Sequence, residues 1–150
     1  MQTFHGTIVD IAGQGVLLRG PSASGKSDLA LRLIDRGATL VADDRYLLRK
    51  SRRGPVAFAP DDLYGLLEVR GVGIVSLPAI KTTLVKLVVD LLPQTDVPRL
   101  PENQYEDIQG VLIPKLSLNA FESATPIKIE LVAANPDRIG APGRQGRQNG

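Results

Sequence analysis

The chain contains no cysteine, no tryptophan and a single histidine, His5, in 150 residues. The lack of cysteine excludes a disulfide scaffold, thiolate-bound zinc, an iron–sulfur cluster and thiol catalysis together. One histidine excludes a multi-histidine metal centre, and a Ser-His-Asp triad would have only His5 to use. Aromatic side chains are confined to Phe4, Tyr46, Phe58, Tyr64, Tyr105 and Phe121, so the core must be aliphatic. No uninterrupted apolar run approaches the roughly 18 residues of a membrane-spanning helix. Residues 1–5 lack the basic and apolar regions of a secretion signal, and a cytoplasmic location is expected.

Charge of either sign is also in short supply as a net quantity, since 18 basic residues face 16 acidic ones. Residues 136–150 hold Arg138, Arg144 and Arg147 against Asp137, so the remainder carries 15 of each sign and is neutral. A neutral body with few aromatic residues gives no basis for nucleic-acid binding. What is abundant is aliphatic side chain, and hydrophobic residues at 43% support one buried core. The expected organisation is a domain over residues 1–136 followed by a flexible basic tail over 137–150, rich in Gly, Gln and Arg.

Periodicity predicts strands at 3–10 and 16–19, joined by a turn at Gly13-Gln14-Gly15, and a helix from Lys26 to about Arg36. Leu29, Ala30, Leu33 and Ile34 share one face of that helix, and Asp28 and Arg32 form an i,i+4 pair. Residues 39–42 read as a buried strand ending at Asp43-Asp44. Residues 45–53 carry five basic side chains and read as an exposed hairpin or loop. Further strands are expected at 66–70, 74–77, 84–92 and 111–113, the last stopped by Pro114. Residues 93–107 read as a polar loop. A second helix is expected from Thr125-Pro126 to Asn135-Pro136. The class is α/β with more strands than helices.

Gly20-Pro21-Ser22-Ala23-Ser24-Gly25-Lys26-Ser27 matches G-x-x-x-x-G-K-S between a strand and a helix. In that context the backbone N–H groups and the helix N-terminus cradle a phosphate chain. Lys26 would reach the terminal phosphates, and Ser27 would offer its hydroxyl to Mg²⁺. No later Asn/Thr-Lys-x-Asp segment points to guanine. Asp43 and Asp44, 17 and 18 residues after Lys26, supply a carboxylate for the metal and another for a reacting hydroxyl. Glu68, His5, Arg99 and Lys115 taken singly read as ordinary strand or surface residues.

Taken together they do not. His5-Gly6-Thr7, the 20–27 loop, Leu40-Val41-Ala42-Asp43-Asp44-Arg45, Leu67-Glu68-Val69-Arg70-Gly71-Val72-Gly73-Ile74, Pro98-Arg99-Leu100 and Ile113-Pro114-Lys115 resemble the catalytic domain of HPr kinase/phosphorylase. Enzymes of that family phosphorylate a serine of the bacterial phosphocarrier HPr. The resemblance runs from about residue 4 to 135 and is to the short proteobacterial form, which lacks an additional N-terminal domain. It implies a P-loop-containing mixed sheet like that of phosphoenolpyruvate carboxykinase, use of ATP and Mg²⁺, an HPr-like acceptor and a homo-oligomer. It further implies Ser27 and Glu68 as Mg²⁺ ligands with Asp43 in support, and Lys26 on the β/γ-phosphates. Asp44 would take the serine proton and return it in the reverse, pyrophosphate-forming reaction. His5 and Arg99 would complete the catalytic set. Residues 68–76 correspond to the stretch tied to kinase action, and 113–118 to the stretch tied to dephosphorylation. A small-molecule kinase, or a nucleotide-sensing module without transferase activity, would share these residues.

Overall fold

Residues 2–140 are described by the structure, a computed structural model. Short apolar runs bounded by polar or glycine residues set most of the strands, in the order β1 (Phe4–His5), β2 (Thr7–Ile11), β3 (Gln14–Arg19), then helix α1 (Lys26–Asp35), β4 (Thr39–Ala42), β5 (Arg45–Arg49) and β6 (Val56–Phe58). There follow β7 (Leu66–Val69), β8 (Gly73–Ser76), β9 (Thr83–Leu91), β10 (Gln104–Ile108), β11 (Val111–Leu118) and helix α2 (Thr125–Ala134). Neither helix is long and apolar enough to cross a membrane.

The longest strand, β9, is buried on both faces over Leu87, Val88 and Val89 and forms the hub of a nine-stranded mixed sheet. It runs parallel to β3 on one side. On the other side it meets β6, antiparallel, near its start and β11, parallel, near its end. The path from one end reads β1-β5-β6-β9-β3-β2-β4, with β10 added outside β11. The chain also passes directly from β1 into β2 and from β4 into β5, which draws the two ends of the path to one side. A smaller core of Ile8, Leu17, Val41, Tyr46, Val88 and Ile113 fills that concavity. The opposite face carries the larger core, where Leu29 and Leu33 of α1 and Ile129 of α2 cover Val9, Val16, Leu18 and Leu87. Arg36 bridges the helices through Glu130 at 2.8 Å.

Two hairpins use one turn device. Ala12 (φ 51°) and Gly13 (φ 88°) join β2 to β3, and Gln109 (φ 54°) and Gly110 (φ 86°) join β10 to β11. Two successive positive φ values match the twist of the flanking strands, and Asp10 and Asp107 each accept the glycine N–H at 2.8 Å. The first turn therefore lies before the expected Gly13-Gln14-Gly15, and Gln14 and Gly15 belong to β3.

Three other expectations change. All of β10 but its last residue lies in the stretch read as a loop; among the described residues it pairs only with β11, and it has no apolar alternation to display. Pro114 does not stop β11. The ladder to β9 begins only at Lys115, so at Pro114 one edge is open and a missing N–H is tolerated. The hairpin at 45–58 is present, but Tyr46 is buried and packs on Phe4 at a ring separation of 5.6 Å. At the other end the folded body passes the expected boundary. Pro136–Arg138 form a 3-10 turn and Ile139 is buried, while residues 141–150 of the expected tail lie outside the described residues.

Leu33 is fully buried between the helix and the sheet. Leu33→Ala is expected to lower unfolding free energy by about 2–5 kcal/mol, read as a lower urea midpoint at unchanged slope.

Candidate active site

The phosphate-loop motif occupies the end of β3 and the start of α1. Gly25, the residue before the helix, has φ 92°, and a Cβ there would stand 2.8 Å from that of Ala120. Only glycine permits that turn, which leaves the first N–H groups of α1 facing the loop. Lys26 Nζ donates to the carbonyls of Gly20 at 2.8 Å and Pro21 at 3.1 Å, holding the first turn of the loop. The Ser24 hydroxyl, within the motif, is buried and has no hydrogen-bond partner among the described residues.

Asp43, at the end of β4, is 7% exposed. A carboxylate so placed needs hydrogen-bond donors, and three converge on it. Ser27 Oγ donates to Oδ1 at 2.7 Å, Thr7 Oγ1 to the same oxygen at 3.0 Å, and the Glu68 backbone N–H to Oδ2 at 3.0 Å. These bonds tie the start of α1, β2 and β7 to one point. Asp44 faces the other way. The Arg45 N–H donates to the Asp43 carbonyl at 2.8 Å, closing a three-residue turn about Asp44, whose φ is 70°. Positive φ at a residue with a Cβ is costly and concentrates at functional sites. The turn buries one carboxylate and leaves the other 69% exposed. Thr7 braces it, accepting the Asp44 N–H at 3.3 Å.

His5 pairs with Arg45 in the β1–β5 register, and the Gly6 N–H donates to the Asp44 carbonyl at 3.0 Å, so His5 lies beside the turn. Arg45 Nε stands 4.0 Å from Asp44 Oδ2. Glu68 lies on β7 next to Leu67, which is fully buried and anchors the β7–β8 hairpin in the larger core; strand alternation leaves Glu68 exposed. Ser27, Asp43, Asp44, His5 and the Glu68 backbone are thus brought together. Arg99 is not: it is exposed on the 92–103 connection, with no ion pair to the others among the described residues.

Among the described residues no three His, Cys, Asp or Glu side chains form a metal-binding cluster. The side-chain oxygens beside the loop are the Ser27 hydroxyl and the Asp43 carboxylate, 2.7 Å apart, a donor number compatible with Mg²⁺, which takes one or two protein oxygens alongside waters and phosphates.

Two features were not visible in the sequence. Thr7 bridges Asp43 and Asp44, yet in sequence it is one threonine on a strand. The other is a charge network behind the loop. Arg19 Nε binds Asp90 Oδ1 at 2.8 Å, its Nη1 lies 3.0 Å from Glu106 Oε2, and Lys115 Nζ reaches Glu106 Oε1 at 3.0 Å. Hydrogen bonds to Asp90 raise the Arg19 guanidinium further above its usual range, against the cost of burial. Hydrogen bonds from Arg19 and then Lys115 lower the Glu106 carboxyl to about 2. Sequence separations of 71 and 87 residues hid these pairs.

The family model described as "HPr Serine kinase C-terminal domain" matches residues 1–138. HPr kinase/phosphorylase of Limosilactobacillus reuteri is 37% identical over 129 residues, covering 78% of this chain and 40% of its own length. The protein of the same description in Prosthecochloris aestuarii is 38% identical over 148 residues, covering 89% of this chain and 43% of its own. The chain thus spans about two-fifths of the length of these curated relatives. The solved structure of the Hpr(Ser) kinase/phosphatase from Coxiella burnetii superposes with a TM-score of 0.81 at 28% identity, over 91% of this chain and 97% of that one.

Thr7→Val keeps the shape but removes both bonds of the bridge; a loss of about 1–3 kcal/mol is expected in urea unfolding. For Glu106 the folded value lies below the ordinary 4.5, so its contribution is complete above that pH and disappears as pH falls towards about 2. The stability difference between the wild type and Glu106→Gln should therefore be constant near neutrality and shrink across that acid window, as followed by urea midpoints.

Proposed function

The chain belongs to the HPr serine kinase C-terminal domain family, and from that premise we propose that it transfers the γ-phosphoryl group of ATP to a serine of an HPr-like carrier, and catalyses the reverse phosphorolysis. The observation that carries this reading is the division of labour at Asp43-Asp44. One carboxylate is buried against the loop serine, and its neighbour is turned out, free to meet an acceptor hydroxyl.

Phosphoryl transfer depends mainly on positioning and on neutralising charge. Lys26, held on two loop carbonyls, exchanges those bonds for β- and γ-phosphate oxygens. The N–H groups of residues 20–27 and the start of α1 take the remaining phosphate charge. Ser27 and Glu68, with Asp43 behind them, would hold Mg²⁺, which would supply charge neutralisation at the phosphates. Asp44 accepts the proton of the serine hydroxyl while that oxygen bonds to the γ-phosphorus. The bond from phosphorus to the β–γ bridging oxygen breaks, and ADP leaves. In reverse, an oxygen of inorganic phosphate bonds to the phosphoserine phosphorus, the serine oxygen departs with the proton from Asp44, and pyrophosphate forms. His5 lies beside Asp44 to orient the acceptor, and Arg99 contributes positive charge to the transferred group.

The test is incubation with ATP, Mg²⁺ and HPr-like carriers, read by intact mass and phosphosite mapping. One phosphate on a serine, removed again by inorganic phosphate with release of pyrophosphate, is expected. Asp44→Asn should lower transfer by about 10²–10⁴-fold, with ATP affinity by calorimetry changed less than about threefold because the role assigned to Asp44 is on the acceptor hydroxyl and not on the nucleotide. Full activity in that variant contradicts the assignment of the base. ATP binding with no transfer to any carrier favours a different acceptor or a sensing module.

A further inference from the structure

The 92–103 connection carries Arg99 and is rooted at two points. One foot is the end of β9, where Asp90 lies two residues before the connection; the other is the start of β10, where Glu106 lies three residues after it. A single guanidinium holds both feet. Arg19 binds Asp90 through Nε at 2.8 Å and Nη2 at 3.1 Å, and Glu106 through Nη2 at 3.1 Å and Nη1 at 3.0 Å. Arg19 is also the last residue of β3, bonded directly to Gly20, the first residue of the phosphate loop. Gly20 abuts the first foot, since a Cβ there would stand 3.3 Å from that of Leu91. On its far side Glu106 is held by Lys115 at 3.0 Å.

We propose that Arg19 is a positioning residue, a clamp that fixes the Arg99 connection relative to the phosphate loop so that Arg99 can close on the transferred phosphoryl group. The planar fork is what makes one residue sufficient. Its five N–H donors span two carboxylates at once, which an ammonium cannot do with the same geometry. The network sums to no net charge and every acidic member is paired, so it does not itself recruit an anion. Its four side chains are between a quarter and a third exposed, and what it fixes is the relative position of three strand ends. Arg99 itself is exposed, on a connection also held at Leu92, whose N–H donates to the Leu118 carbonyl at 2.9 Å and whose carbonyl accepts from Asn119 Nδ2 at 3.0 Å, so the anchors of its connection set where it can reach. A displacement of about 1 Å in such a group lowers rate by up to about 100-fold.

The kinetic consequence rests on the phosphotransfer reading above; the ordering of the connection does not, and the experiment separates them. The chain has no tryptophan, so Leu100→Trp, at an exposed position beside Arg99, gives a single reporter. Mg²⁺ and ATP are expected to raise its anisotropy and reduce acrylamide quenching by about twofold, as closure over the phosphates requires. In Arg19→Gln and Glu106→Gln backgrounds that response should be lost while ATP affinity changes less than about threefold. Glu106→Gln is nearly isosteric and carries the test should Arg19→Gln fail to fold.

In the transfer assay Arg99→Ala and Arg19→Gln should each lower kcat by about 10–100-fold with KM for ATP little changed. The double variant should be no slower than Arg99→Ala alone, because the clamp acts through Arg99. Arg19→Lys should recover part of the loss. An unaltered tryptophan response in both clamp variants, or multiplicative losses in the double variant, overturns the proposal. Absence of transfer in the wild type overturns the phosphotransfer reading and leaves the tryptophan response to decide the clamp.

Discussion

The buried carboxylate of Asp43 is the constraint on which the site depends. It lies out of water and receives two hydroxyls and one backbone N–H, from α1, β2 and β7. Bonds of this kind contribute only about 0.5–1.5 kcal/mol net apiece, but an unmade bond at a buried carboxylate costs more. The arrangement is therefore stable only when all three segments are in place. It sets the phosphate-loop serine, the edge of the β7–β8 hairpin and the base of β2 relative to one another. Its neighbour, Asp44, is exposed because the backbone reverses at φ 70°. A strained residue and a satisfied one thus stand adjacent in the chain, one carboxylate in water and the other out of it.

The sheet supplies the frame. β9 lies between β3 and, on its other edge, β6 and β11. The phosphate loop and the Arg99 connection therefore leave from neighbouring strand ends. The turn after β4 and the short β1 complete the same side, because the curled sheet brings β1 against β5. Helices α1 and α2 cover the other face with an aliphatic core, and α1 is pinned at its start by Ser27 and at its end by Arg36 on Glu130.

Much of this was legible because the informative signals are local. The 20–27 motif, helix α1 and β4 follow from spacing and apolar runs within about ten residues, and the two-stranded segment around Gly71-Val72-Gly73 announces itself by its glycines. The family resemblance grouped Glu68, His5 and Arg99 with the loop, which no periodicity could do; the structure brings His5 and the Glu68 backbone there and leaves Arg99 apart on the 92–103 connection. β10 was missed because an edge strand with two wet faces has no alternation. β11 was cut short because a proline reads as a stop until the missing partner on that edge is known. Thr7 and the Arg19 network were invisible for a common reason: their meaning lies in pairings across 36 to 87 residues, which only the strand order creates.

The most direct measurement is a crystal structure with Mg²⁺ and a non-hydrolysable ATP analogue. The triphosphate is expected on the N–H groups of residues 20–27 with Lys26 moved from its two carbonyls onto it, the metal on Ser27, and the Asp44 carboxylate free within about 4–5 Å of the γ-phosphorus, room for one acceptor hydroxyl. A nucleotide seated elsewhere, or Asp44 bound to the metal with Asp43 turned away from Ser27, would contradict the division of roles between the two carboxylates.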